Sequence, residues 1–277
     1  MQIVEHIAEL QRIRRQYTDS VALVPTMGAL HEGHLSLIRL AKTQAKHVIV
    51  SIFVNPTQFG PTEDFEAYPR TREADLSLLK EAGVDMAFVP TATTIYPKGL
   101  QTTRVYVPQL GDLYCGKSRP LLFEGVCSVV LRLFHIVTPT HAVFGEKDFQ
   151  QLVIIRQLVE DLYLPIQIIG GPIMREEDGL AMSSRNCYLS AQQRTQAATI
   201  YATLCALADT KVELATSIAK AVTRLATNGI RTDYLTLVRE DTLEEISVPT
   251  KGTRLLFAGY LGNTRLIDNL SLSSPET

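Results

Sequence analysis

Short unbroken apolar runs alternate along the chain with segments whose apolar residues recur at helical spacing. Residues 21–25 (VALVP) form such a run, the pattern of a strand buried on both faces. Leu35, Ile38, Leu40 and Ala41 follow at helical intervals within residues 33–46. Residues 47–54 (HVIVSIFV) predict a second buried strand. Residues 71–82 predict a helix with Ala74, Leu78 and Leu79 on one face and Gly83 as its C-cap. Strands are likewise predicted over 86–90, 141–145 and 165–171, and helices over 126–137 and 148–162. This rhythm predicts βαβ units, right-handed crossovers and a parallel sheet. It stops after about residue 190. Residues 191–210 predict one long helix, residues 215–225 a second, and residues 234–239 and 254–261 two strands. The expected architecture is α/β: a Rossmann-like parallel-sheet domain over 1–175, and a second, smaller α+β C-terminal domain over 176–277 that closes over the site. The boundary is expected within 172–190.

Composition narrows the classes. Of 277 residues, 45% are apolar and 20% charged, which excludes a disordered chain. Twenty-seven basic against 29 acidic residues give a net charge of −2, so no global field attracts nucleic acid or an anionic membrane. No apolar window is long enough to span a bilayer, and the charged N-terminus has no signal-peptide core. The four cysteines, Cys115, Cys127, Cys187 and Cys205, show no C-x-x-C pair and read as reduced thiols of a cytoplasmic protein.

Ligands of open parallel sheets bind beyond the carboxyl ends of the strands, and several polar clusters sit just there. In PTMGALHEGH (residues 25–34), Gly28 and Gly33 allow close approach to the backbone. A helix starting near Gly33 would aim free N–H groups at an anion, with His31 and His34 three residues apart. An inert loop or a zinc-binding pair would also use these residues, although two ligands alone make a poor zinc site. In FVNPTQFG (53–60), Asn55 and Gln58 suit a hydroxyl or carboxylate, and an ordinary Asn-Pro turn reads the same way. In FGEKDFQQ (144–151), Lys147 offers charge to phosphate. Asp148 either caps a helix or holds a ribose, with Gln151 one turn on; a solvated helix start is the alternative. MSSRN (182–186) is either a phosphate clamp or a surface turn. The acidic residues of 63–75 suit either a divalent cation or solvent.

Taken together, PTMGALHEGH, SIFVNPTQFG, AYPRT, FGEKDFQQL and DGLAMSSRNCYL, in this order and spacing, resemble the pantothenate synthetase (pantoate–β-alanine ligase) family of the HIGH-type nucleotidyltransferases. The resemblance covers about residues 21–269 and thins in the last third, where YLTLV and RLIDN match. It implies ATP-dependent condensation of pantoate with β-alanine through a pantoyl adenylate, a magnesium requirement and a homodimer. By resemblance His34, His31, Lys147 and Arg185 are catalytic. The ATP contacts are Met27, Gly28, His31, His34, Gly145, Glu146, Lys147, Asp148, Met174, Met182, Ser183, Ser184 and Arg185. Gln58, Gln151 and Asn55 bind pantoate and β-alanine, and Asp75 lies near Mg²⁺. A lid over 61–69 would shield the adenylate from water. One departure stands out: RPLLFEGV (119–126) carries Leu121 and Leu122 where the family usually has Gly-His.

Overall fold

A computed structural model describes residues 1–61, 63–209 and 213–272. In the first part β1 (Gln2–Val4) and α1 (Ile7–Arg14) precede β2 (Val21–Thr26), α2 (Glu32–Gln44), β3 (His47–Ile52), α3 (Arg72–Glu81) and β4 (Met86–Phe88). Next come the short α4 (Ala92–Ile95) and α5 (Cys115–Ser118), then α6 (Leu122–Val137), β5 (His141–Gly145), α7 (Phe149–Asp161) and β6 (Gln167–Gly171). The six strands form one sheet in the order β1-β4-β3-β2-β5-β6, every pair parallel. Val21, Ala22, Leu23 and Val24 are fully buried, as a strand covered on both faces requires. Each such valine or leucine contributes about 1.5–3 kcal/mol by leaving water.

The later part holds α8 (Ala191–Ala197), α9 (Thr199–Ala208) and α10 (Leu214–Thr227). An antiparallel meander of β7 (Ile230–Arg239), β8 (Thr253–Leu261) and β9 (Thr264–Ser271) follows. This sheet has its own core, with Leu204, Leu225, Leu237, Leu255 and Phe257 at its centre. By compactness the chain forms two units, one of Met1–Glu146 with Ile154–Pro172, the other of Lys147–Val153 with the chain from Ile173 onward.

The parallel sheet and the smaller α+β part are the architecture the hydrophobic pattern predicts. Four local differences have physical causes. The second strand ends at Ile52, because Asn55-Pro56 turns the chain into a 3-10 turn (Pro56–Gln58) with no proline N–H to extend the ladder. The helix expected over 126–137 begins at Leu122. The single helix expected over 191–210 is two helices meeting at Ala198, and Thr210 lies outside the described residues. Near that junction the hydroxyls of Thr195 and Thr199 donate to the carbonyls of Ala191 and Gln196, a bonding pattern that bends helices. β1 and β9 are additional strands, the one very short and the other carrying buried polar residues.

Candidate active site

The β2–α2 connection is built around one carboxylate. Gly28 (φ +85°) and Ala29 (φ +49°) take left-handed backbone. A Cβ on Gly28 would stand 2.9 Å from Asp75 Oδ2 and 3.1 Å from Ile52 Cγ2, so only glycine fits there without strain. Asp75, on the first turn of α3 and 2% exposed, accepts from the amides of Ala29 at 3.0 Å and Leu30 at 2.8 Å. Its Oδ1 also accepts from Thr71 Oγ1 at 3.1 Å. On the other side, Thr26 Oγ1 donates to Ser51 O at 2.8 Å and accepts from Gly28 N at 3.3 Å.

The held loop delivers His31 to the N-cap of α2. His31 Nδ1 accepts from Gly33 N at 3.1 Å, and His34 Nδ1 accepts from His31 N at 3.3 Å: a reciprocal capping box made of two imidazoles. The ring centroids are 4.2 Å apart. Because Nδ1 is the acceptor in both rings, each neutral imidazole carries its proton on Nε2. The helix N-terminus therefore presents two ring N–H donors together with its dipole, a combination suited to phosphate oxygens.

The 3-10 turn after β3 is equally constrained. Asn55 is 1% exposed and spent at both ends. Its Oδ1 accepts from Thr57 N at 3.3 Å, Thr57 Oγ1 at 2.9 Å and Tyr96 OH at 2.8 Å. Its Nδ2 donates to Gln58 Oε1 at 3.1 Å and Gly125 O at 3.2 Å. Asn55 thus orients Gln58, whose Nε2 reaches Met27 Sδ at 3.2 Å and ties this turn to the histidine loop. Gly125 of α6 lies against the turn: a Cβ there would meet Thr57 O at 2.4 Å and Gln58 N at 2.6 Å. Arg119 forks onto both oxygens of Glu63 at 2.7 and 2.5 Å and donates to Gln58 O at 3.3 Å. The RPLLFEGV segment is therefore anchored by its arginine. Leu121 is exposed, and Leu122 opens α6. Of the segment 61–69, Thr62 lies outside the described residues.

The second unit carries another polar set. Lys147 and Asp148 lie on the 3-10 turn Glu146–Asp148 that leads into α7, with Lys147 Nζ 3.9 Å from Asp148 Oδ2; Gln151 follows half-buried on the first turn of α7. Met182 N donates to Met174 O at 2.9 Å, and Arg175 bridges to Ala181, so residues 174–182 form a narrow hairpin. Asp178 at its tip pairs with Arg194 and accepts from Leu180 N at 3.2 Å. Ser183 Oγ, the N-cap of the turn Ser184–Tyr188, accepts from Arg185 N at 3.2 Å. Gly145 and Glu146 end the first unit's β5 strand and begin that same turn into α7.

A family model described as Pantoate-beta-alanine ligase matches residues 2–271. The chain belongs to the pantoate–beta-alanine ligase family. The pantothenate synthetase of Sphingopyxis alaskensis is 51% identical over 278 residues, covering 98% of this chain and 99% of that protein. A pantothenate synthetase crystal structure from Thermus thermophilus superposes with a TM-score of 0.93 at 44% identity, covering 99% of this chain and 100% of that one. A Francisella tularensis pantoate-beta-alanine ligase, solved as a complex with beta-gamma ATP and beta-alanine, matches at TM-score 0.86 and 34% identity, with 99% of each chain covered. As a member of the family this protein is a ligase.

Within that family frame, the sequence clusters fall into two sets. Met27, Gly28, His31, His34, Asn55, Gln58 and Asp75 converge in the first unit. Lys147, Asp148 and Gln151 belong to the second unit, as do Met174, Met182, Ser183, Ser184 and Arg185. Among the supporting residues, Arg119 and Gly125 fall in RPLLFEGV and Glu63 in the acidic 63–75 stretch, whereas Tyr96 around Gln58 and Arg254 in the second unit, with Asp268 and Asn269, are not singled out as site residues by the sequence. RLIDN is the one sequence signal for the last two.

Proposed function

We propose that the protein condenses pantoate with β-alanine in two chemical steps at the expense of ATP. The pantoate carboxylate attacks the α-phosphorus, expelling pyrophosphate and leaving pantoyl adenylate. The β-alanine amine then attacks the acyl carbon; AMP leaves, and the amine gives up a proton as the amide forms. The observation that carries this reading is the two-imidazole cap of α2, with both Nε2–H groups as donors at the carboxyl end of a parallel sheet.

In this reading His31 and His34 stabilise charge developing on the phosphates, and His34 donates its Nε2–H as a hydrogen bond to the departing pyrophosphate. Lys147 and Arg185 supply positive charge to the same polyanion, Ser183 and Ser184 bond its oxygens, and Asp148 holds the ribose. Met27, Gly28, Gly145, Glu146, Met174 and Met182 border the nucleotide. Gln58 and Gln151 bind pantoate, Gln58 also β-alanine, and Asn55 acts through Gln58.

Magnesium is placed with the phosphates of ATP rather than on a protein cluster. Asp75 already accepts three hydrogen bonds from the chain, and among the described residues no three His, Cys, Asp or Glu side chains gather to hold an ion. We also propose a homodimer. An apolar groove along the edge strand β6, lined by Val159, Tyr163, Leu164, Ile166 and Ile168 between Arg156 and Glu160, supports it, with Tyr163 93% exposed. The location is proposed as cytoplasmic, the four cysteines of the sequence showing no disulfide framework; among the described residues no helix is long and apolar enough to cross a membrane.

The test is isotope exchange between ATP and pyrophosphate in the purified protein. Exchange that needs pantoate but not β-alanine, and that is lost in His34→Ala and Lys147→Ala, supports the two steps and these roles. Exchange stimulated equally by any carboxylic acid argues against the pantoate pocket.

A further inference from the structure

Two neighbouring residues of β9 bond two different segments of the second unit. Asn269 Nδ2 donates to the carbonyl of Lys147 at 3.1 Å. Its Oδ1 accepts from Arg254 Nη1 at 2.6 Å. Arg254 lies 4.0 Å over the ring of Phe149 and donates through Nε to Glu240 at 2.9 Å. One network therefore fixes the backbone of Lys147 and the aromatic ring two residues after it.

Asp268 does the same for the hairpin that leads into Ser183–Arg185. Its oxygens accept the fork of Arg175 at 2.7 and 2.9 Å, and Oδ1 also accepts from Asn269 N at 2.7 Å. Arg175 continues to Gly179 O at 3.0 Å and Asn269 O at 3.3 Å, and it stacks 3.6 Å over Tyr201. The root of the hairpin is thus held to the strand.

Asp268 and Asn269 are 3% and 2% exposed. Burying a carboxylate and an amide is costly unless every polar atom is paired, and an apolar pair would hold a strand of this core more simply. Full pairing to two separate segments points to precision of placement instead.

We propose that Asp268 and Asn269 are positioning residues that set the spacing between Lys147 and the Ser183–Arg185 segment, so that both grip one polyphosphate. They touch no nucleotide; they act through Lys147 and Arg175. The inference rests on the assignment of those segments to ATP under the proposed function. Small displacements of such groups weaken binding strongly.

The experiment is a pair of double-mutant cycles on the full-length protein, reading the MgATP dissociation constant by calorimetry without pantoate, together with steady-state KM for ATP and for β-alanine. Asn269→Ala is expected to weaken MgATP about tenfold in the natural background and less than twofold when Lys147→Ala is present, with KM for β-alanine unchanged. Asp268→Asn is expected to show the same non-additivity with Arg185→Ala. Equal weakening in both backgrounds overturns the proposal, because a merely structural residue gives additive losses. If Lys147→Ala and Arg185→Ala themselves leave the MgATP constant unchanged, the ATP assignment fails first and takes this inference with it. Should Asn269→Ala not fold, Arg254→Lys carries the same cycle, since it withdraws the planar fork from Asn269 Oδ1 while keeping the charge.

Discussion

The carboxylate of Asp75 and the backbone amide of Ala29, 46 residues apart in the chain, are joined at 3.0 Å. That bond and its neighbour to Leu30 hold the strained turn that carries the two histidines. Asp75→Ala leaves both loop amides without their acceptor, at a cost of about 1–3 kcal/mol each if they stay dry. The expected outcome is a lowered Tm and a kcat/KM for ATP reduced further than unfolding accounts for. Asp75→Asn, which keeps one acceptor, is expected to fall between. The magnesium concentration for half-maximal rate should stay the same in Asp75→Asn; a large rise would make this carboxylate an ion ligand.

Gly125 offers a test of the Gln58 turn. An added methyl meets Thr57 O and Gln58 N well inside contact distance, so the turn must move. Gly125→Ala should cost about 1–3 kcal/mol as overpacking. It should raise KM for pantoate while leaving the MgATP dissociation constant near its natural value. Calorimetry with MgATP beside pantoate kinetics separates the two effects, and an equal loss in both would remove Gln58 from the pantoate assignment.

Thiol chemistry should distinguish the four cysteines. Burial pushes the Cys127 thiol up to about 12, so it stays protonated and unreactive at neutral pH. Cys115 is also buried, whereas Cys187 is exposed on the turn Ser184–Tyr188. Iodoacetamide at a pH of about 8, near the ordinary thiol pKa, should label Cys187 first and leave Cys127 and Cys115 unmodified in the folded protein, as mass spectrometry of peptides would show. MgATP should slow labelling of Cys187. Rapid labelling of Cys127 would contradict the packing around α6.

Acid should loosen the 174–182 hairpin. The hydrogen bond from Arg194 holds the Asp178 carboxyl below its ordinary value of 3.8. A depressed folded-state pKa contributes stability that is present above 3.8 and is lost as pH falls through the folded value. The pair is partly exposed, so the contribution is small. The urea midpoint of Asp178→Asn should lie slightly below that of the natural protein at about pH 7, and the gap should shrink as pH falls below 3.8. A gap of unchanged size in acid would refute the assignment.

Much of this molecule can be read from residue order. The strands of the parallel sheet are unbroken apolar runs because both faces are covered; His31, His34, Gln58 and Lys147 stand in motifs after strand ends, and Arg185 in the turn Ser184–Tyr188. What resists reading is polar and buried. Thr264–Ser271 alternates poorly because Asp268 and Asn269 point into protein rather than water, so its strand character is hidden. The bonds of Asp75 and Asn55 to distant backbone groups are not readable either, since an internal hydrogen bond leaves no mark on spacing. Arg119 and Glu63 pair across 56 positions for the same reason. The departure at Leu121 and Leu122 is legible, yet only the structure shows that the adjacent arginine keeps its segment fastened to the Gln58 turn.

The late position of β9 bears on shortened genes. A reading frame stopped just before Thr264 would still encode every side chain assigned here to substrate, and of the family fragments it would lose RLIDN alone. Its product would lack the tether for Lys147 and the counter-charge for Arg175. Such an allele is expected to be null, and a gene survey that scores only the familiar signatures would misclassify it as functional.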